Sequence, residues 1–347
     1  MDSEALSAYA FAGDAAKGRS RLKHQRKDTT MKAARLVGPR QFEILDAPMP
    51  TLKEGEVLVR MQHLSVCGSD LRTYDRTLPE ESYPLAIGAP CHECVGIVEE
   101  SHDPSIKKGE PVIALTGGLL EYAAVPAKEI VQLKPGVDPR LAILCQPAGT
   151  VLYSCQQMGA ILGQRVVVIG QGPIGLNFTD LLVRGGALQV IVADRHDYRL
   201  AHSSKLGATH TVNVTRDDLV ERVREITAGA MADIVVEACG RPEAFNQMFQ
   251  SLRHQGTAIL FGMQHDEGPL PLDWESMYER LPRMITTSSA RVGERAKTVA
   301  AVVELVSRGQ LDLSYQATHR LPFEQVGKAF EMYSGKVDNS LKVIIDL

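Results

Sequence analysis

The chain has 347 residues, of which 44% are hydrophobic and 23% charged, with a formal net charge of −4. That length suits two domains better than one core, and the charge balance offers nucleic acid or an anionic membrane no electrostatic hold. No apolar run nears the roughly 20 residues that span a bilayer, so a soluble, cytoplasmic protein is expected.

Residues 1–30 mix small side chains with a basic run from Lys17 to Lys27, without the apolar segment of a secretory signal. Asp2, Glu4 and Asp14 argue against a transit peptide. The stretch reads as a disordered N-terminal extension, and Met31 resembles a natural start. From Met31 short strands alternate with turn residues: Gln41 to Leu45, Gly55 to Met61, Val95 to Glu100, Glu110 to Leu115 and Glu121 to Val125. This predicts a mostly β domain, with Cys67-Gly-Ser-Asp70 and Cys91-His-Glu-Cys94 on loops between strands.

Around Gln146 the pattern changes. A helix is expected over Thr150 to Leu162, and strands and helices then alternate as parallel βαβ units. Gln189 to Asp194, Asp233 to Glu237 and Gly256 to Gly262 are near-continuous apolar strands, as in a sheet covered on both faces. The last strand, Leu341 to Leu347, has no place in such a sheet and is assigned back to the first domain. The fold class expected is α/β: a mostly β domain from 31–155 and 291–347, and a doubly wound parallel sheet over 156–290.

Gly170-Gln-Gly172-Pro173-Ile174-Gly175 follows an apolar strand and precedes a helical stretch. Its glycines permit a tight turn, close approach to a pyrophosphate and helix–strand packing, while the helix N-terminus offers N–H groups to the anion. Asp194 ends the next strand, placed to accept from a ribose 2′-hydroxyl and to repel a 2′-phosphate, which favours NAD over NADP. Arg195 and Arg199 partly offset that repulsion. Cofactor contacts are expected from Thr150, Gly170, Gly172, Pro173, Ile174, Gly175, Asp194 and Arg199.

The six cysteines, Cys67, Cys91, Cys94, Cys145, Cys155 and Cys239, read as thiols or ligands rather than a disulfide framework. Cys67, His92 and Glu93 offer a thiolate, an imidazole and a carboxylate, which a catalytic zinc accepts while keeping one position open. Ser69 could pass a proton to or from a metal-bound alcohol. Cys91 and Cys94 have Cys-x-x-Cys spacing, but no second pair completes a separate site.

From Met31 onward the chain resembles the medium-chain zinc-dependent alcohol and polyol dehydrogenase superfamily. The likeness is carried by Cys67 to Asp70, His92-Glu93, Lys108-Gly109, Gly118 to Tyr122, Gly170 to Gly175 and Thr318-His-Arg320. It implies a GroES-like catalytic domain from both chain ends, a Rossmann domain between them and a site in the cleft. Its sorbitol-dehydrogenase-like branch implies Cys67, His92 and Glu93 as ligands, with Ser69 as the relay hydroxyl; a threonine-dehydrogenase-like branch is the other assignment. A dimer or tetramer is also implied.

Three departures stand out. Ser101 to Thr116 contains no cysteine, so one catalytic zinc and no structural zinc are expected. Gln146 stands where relatives carry a ligand, and as a neutral amide it is expected to orient bound water; Cys145, one residue away, is the alternative. Arg72 stands where relatives carry a relay histidine and cannot serve as a base, which leaves Ser69, the cofactor ribose and water for proton exit.

The activity expected is reversible hydride transfer between a small alcohol or polyol and NAD, with thiolate and carboxylate cancelling the zinc charge and an alkaline optimum for oxidation. A zinc-free reductase with degenerate ligands and a non-catalytic dinucleotide-binding protein are the competing readings.

Overall fold

The structure, a computed structural model, describes residues 29–76, 78–264 and 268–347. The extension expected over 1–30 lies outside these residues except for Thr29 and Thr30, and Thr30 already opens the first strand. The early part of the chain forms β1 (Thr30–Gly38), β2 (Gln41–Pro48) and β3 (Glu56–Ser65), then a one-turn helix α1 (Leu71–Tyr74). Strands β4 (Glu93–Ser101), β5 (Pro111–Ala114), β6 (Tyr122–Pro126) and β7 (Ile130–Gln132) follow.

Helices α2 (Pro139–Ala142) and α3 (Cys145–Gln157) carry the chain to its middle part. The sequence placed α3 over Thr150 to Leu162, five residues late at each end. Pro147 is tolerated because the first turn of a helix has no intrahelical N–H bond to lose. Beyond the helix Gly159 adopts φ 87°, outside the helical region.

The middle part runs β8 (Arg165–Ile169), α4 (Pro173–Arg184), β9 (Gln189–Asp194), α5 (Asp197–Lys205), β10 (His210–Asn213), α6 (Leu219–Ile226) and β11 (Ala232–Glu237). It continues with α7 (Pro242–Ser251), β12 (Leu252–Leu260), α8 (Trp274–Arg280) and β13 (Arg283–Thr286). These six strands lie in the order β10-β9-β8-β11-β12-β13, every neighbouring pair parallel. The order reverses between β8 and β11, and at such a switch point ligands bind beyond the carboxyl ends of the strands.

The chain closes with α9 (Arg295–Ser307), β14 (Ala317–Pro322), α10 (Val326–Gly335) and β15 (Lys342–Asp346). The second large sheet has the order β14-β15-β3-β4-β5-β7, with β6 also paired to β3. Here β15 is an interior strand: Ile344 lies opposite Ser65 of β3, and Ser65 lies opposite Glu93 of β4. That register carries the chain's last strand to the ligand stretches. Val95, Ile113 and Ile344 of this sheet share one apolar core with Cys145 and Ala148 of α3 and Val299 and Val302 of α9. Gly149 lets those helices meet closely, since a Cβ there would come within 2.8 Å of the Val299 backbone. Among the described residues no helix is long and apolar enough to cross a membrane.

Candidate active site

Asp70 organises the first ligand stretch. Its Oδ2 accepts from the Cys67 N–H at 2.9 Å, closing the turn that leads into α1. Its Oδ1 accepts from His92 Nδ1 at 2.9 Å. The carboxylate is buried, so this bond is poorly screened. With Nδ1 donating to Asp70, Nε2 is the nitrogen left for a metal, which would have to displace any proton held there. Ser69 Oγ lies 3.4 Å from that Nε2. Burial opposes a charge on the ring, but Asp70 and Cys67 outweigh it and hold the His92 imidazolium well above its usual range.

Ligand atoms of Cys67, His92 and Glu93 lie within 4.8 Å of one another, the one such group among the described residues. A tetrahedral zinc holds its ligands roughly 3.5 Å apart, so modest side-chain rotation brings the three onto one ion. Mixed sulfur, nitrogen and oxygen donors fit that metal. One expectation needs correcting: Glu93 is not on a loop but is the first residue of β4, while Cys67 and His92 precede regular structure. The carboxylate therefore has the most rigid mounting of the three.

Glu93 also has a partner that the sequence reading missed. Lys342 Nζ donates to its two oxygens at 2.7 and 2.6 Å and to the Val66 carbonyl at 3.1 Å. Ser65 Oγ donates to the same carboxylate. Lys342 and Glu93 are each only 1% exposed. Burial would deprotonate the amine, yet the negative charges of Glu93 and Cys67 hold it well above its ordinary range. Each carboxylate oxygen has two lone pairs, so these bonds leave one for a metal. The charge count made from sequence omitted this ammonium. With it, thiolate and carboxylate no longer cancel a divalent cation in full. A lone lysine in an apolar terminal strand was the available signal.

Other sequence candidates fall outside this group. Burial pushes the Cys145 thiol up to about 12, which disfavours the thiolate a metal requires. The Cys94 thiol beside it, together with burial, holds Cys91 well above its usual range. Gln146 is buried, and its Oε1 has no hydrogen-bond partner among the described residues. A bound water is the kind of partner such an oxygen accepts from.

At the glycine-rich turn, Gly170 adopts φ 94°, and a Cβ on Gly175 would lie 1.8 Å from the Gly170 carbonyl oxygen. Gly172 caps α4 and Pro173 occupies its first turn, with Ile174 half-buried behind it. Asp194 does more than wait for a ribose. Its Oδ2 accepts from the Gln171 N–H at 2.7 Å and its Oδ1 from the His196 N–H at 2.9 Å, with Arg199 Nη1 3.7 Å away. Gln171, fully buried, accepts at 2.8 Å from both Thr179 of α4 and Ser203 of α5. That staple was not visible in the sequence. Thr150 Oγ1 donates at 2.7 Å to the Pro147 carbonyl, a bond within its own helix.

Residues 53–135 match the family model described as alcohol dehydrogenase GroES-like domain, and 173–308 the one described as zinc-binding dehydrogenase. Together they cover more than half of the chain. The chain belongs to the medium-chain zinc-dependent dehydrogenase superfamily. Membership makes it an oxidoreductase of the alcohol dehydrogenase type with a nicotinamide cofactor. It is 28% identical over 321 residues to an L-threonine 3-dehydrogenase of Bacillus velezensis, covering 83% of this chain and 90% of that protein. Its fold is similar to the alcohol dehydrogenase TADH from Thermus sp. ATN1, with TM-score 0.81, 24% identity and 91% and 100% of the two chains covered. It is likewise similar to the 2R,3R-butanediol dehydrogenase from Bacillus subtilis, with TM-score 0.78, 21% identity and 91% and 99% covered.

Proposed function

We propose that the chain carries a hydride between a small alcohol or polyol and NAD, reversibly, where Cys67, His92 and Glu93 share one zinc. The observation that carries this reading is the His92 ring, tied at Nδ1 to Asp70 and presenting Nε2 beside the thiol and the carboxylate. Bound zinc would supply Lewis-acid polarisation of the substrate oxygen. A bound dinucleotide would supply the hydride acceptor.

The chain's own residues do the rest. Ser69 Oγ, within reach of His92 and at the mouth of α1, relays the substrate's hydroxyl proton, accepting it while passing its own proton on toward the cofactor ribose and water. Asp70 holds the ring at Nδ1, and Lys342 holds the Glu93 carboxylate in place. The turn from Gly170 to Gly175 and the N-terminus of α4 receive the pyrophosphate. Asp194 and Arg199 meet the adenosine ribose, and the carboxylate supports NAD over NADP.

We further assign 31–155 and 291–347 to the catalytic domain and 156–290 to the nucleotide domain, consistent with the two sheets. A homodimer or homotetramer fits the open sheet edge at β13, where Leu281 and Met284 are exposed. The unpaired cysteines suit a reducing compartment such as the cytoplasm. The test is a substrate screen with NAD and with NADP on metal-quantified protein. Turnover that a chelator abolishes is expected; turnover that survives full metal removal would favour a zinc-free reductase.

A further inference from the structure

Arg72 stands in α1, one turn after the ligand stretch, and its N–H bonds the Ser69 carbonyl at 3.3 Å. Its side chain crosses from the catalytic part of the chain to Met263, just beyond the carboxyl end of β12. There it finds poor company. Among the described residues Nη1 reaches only the Met263 thioether sulfur, at 3.9 Å, and Nε is buried with no acceptor. A guanidinium cannot shed its charge to escape this. Leaving a buried donor unpaired is costly, and more so when it is charged. The described residues thus give this half-buried guanidinium no oxygen acceptor, and an anion entering beside it would supply one.

We propose that Arg72 binds the carboxylate of the substrate, and that the enzyme prefers hydroxycarboxylates to neutral alcohols of the same carbon skeleton. A planar fork of N–H groups matches a carboxylate in shape as well as charge. Arg72 lies within one helical turn of Ser69, so the same molecule can place its hydroxyl at Ser69 and its anion at Arg72. Met263 lies beside the pair and offers an apolar surface to the carbon skeleton. The inference rests on the dehydrogenase reading and names the substrate class of that site.

The test has two arms. Calorimetry with the zinc-loaded protein and NADH compares 3-hydroxybutyrate and 4-hydroxybutyrate with the corresponding butanediols, for wild type, Arg72→Gln and Arg72→Lys. Steady-state kinetics on the same compounds gives kcat, KM and the KM of NAD. The account expects at least one hydroxybutyrate to bind wild type tighter than its diol. Arg72→Gln weakens that binding by about 10- to 100-fold, raising KM rather than lowering kcat. Binding of the diols and the KM of NAD stay put, and Arg72→Lys restores part of the loss. Equal binding of acid and diol by wild type overturns the proposal, and so does a loss in Arg72→Gln that falls on NAD. Turnover of diols without carboxylate preference would sink this inference alone. Carboxylate binding at Arg72 without turnover of any alcohol would sink the dehydrogenase reading instead.

Discussion

The Asp70 carboxylate grips two ligand residues at once, the His92 ring at Nδ1 and the Cys67 backbone at N–H, both at 2.9 Å. One buried side chain thus sets the distance between a thiol and an imidazole that stand 25 positions apart in sequence. Asp70→Asn keeps the volume but removes the charge that holds the ring. Loss of such an outer partner typically costs about 10- to 100-fold in metal affinity. Competition titration against a chromophoric chelator reads this directly, and an unchanged affinity would assign Asp70 to the turn alone.

Lys342 and Glu93 form the second relationship that the site depends on. Removing one partner of a buried ion pair strands the other charge and costs about 3–5 kcal/mol. Lys342→Met should lower the denaturation midpoint of the metal-free protein accordingly. The double variant Lys342→Met, Glu93→Gln should recover most of the loss, because no charge is then left unpaired. If the single variant unfolds at the wild-type midpoint, the pair is not buried as described.

How much of this the sequence disclosed follows from range. The turn from Gly170 to Gly175 and the acid at Asp194 are local patterns, each fixed by a backbone need within a few residues. Cys67, His92 and Glu93 were legible because their chemistry is specific. Lys342 was not, because it lies 249 positions from Glu93 and meets it only through the register of β15 on β3 and of β3 on β4. Asp70 stood in a quoted motif, but its bond to His92 spans two loops. The start of α3 lies five residues before the expected Thr150, with Pro147 in a first turn that admits it.

Ser69→Ala tests the proton path. A positioned acid–base group contributes roughly 100- to 10,000-fold in rate. A fall in kcat within that range is expected, with metal content and cofactor binding preserved. Retention of near-wild-type kcat would show that the proton leaves by water alone.

Acid stability has a named contributor in Asp233. Burial pushes its carboxyl up, but the Arg165 N–H at 2.8 Å and the Arg253 guanidinium at 2.6 Å pull harder, and its pKa ends below the ordinary 3.8. A lowered folded-state pKa stabilises above the unfolded value and loses that contribution as pH falls through the folded one. Asp233→Asn should therefore destabilise at neutral pH, and the difference from wild type should shrink below about pH 4. Urea midpoints across pH 3 to 7 check this; a constant difference would contradict the assignment.

The most direct test of the metal centre is X-ray absorption at the zinc edge on the purified, zinc-loaded protein, with metal content measured on the same sample. One zinc per chain is predicted, with a single sulfur at about 2.3 Å and the remaining nitrogen and oxygen ligands at about 2.0–2.2 Å. Two or more sulfurs on the metal, or a protein that takes up no zinc, would contradict a centre built from Cys67, His92 and Glu93.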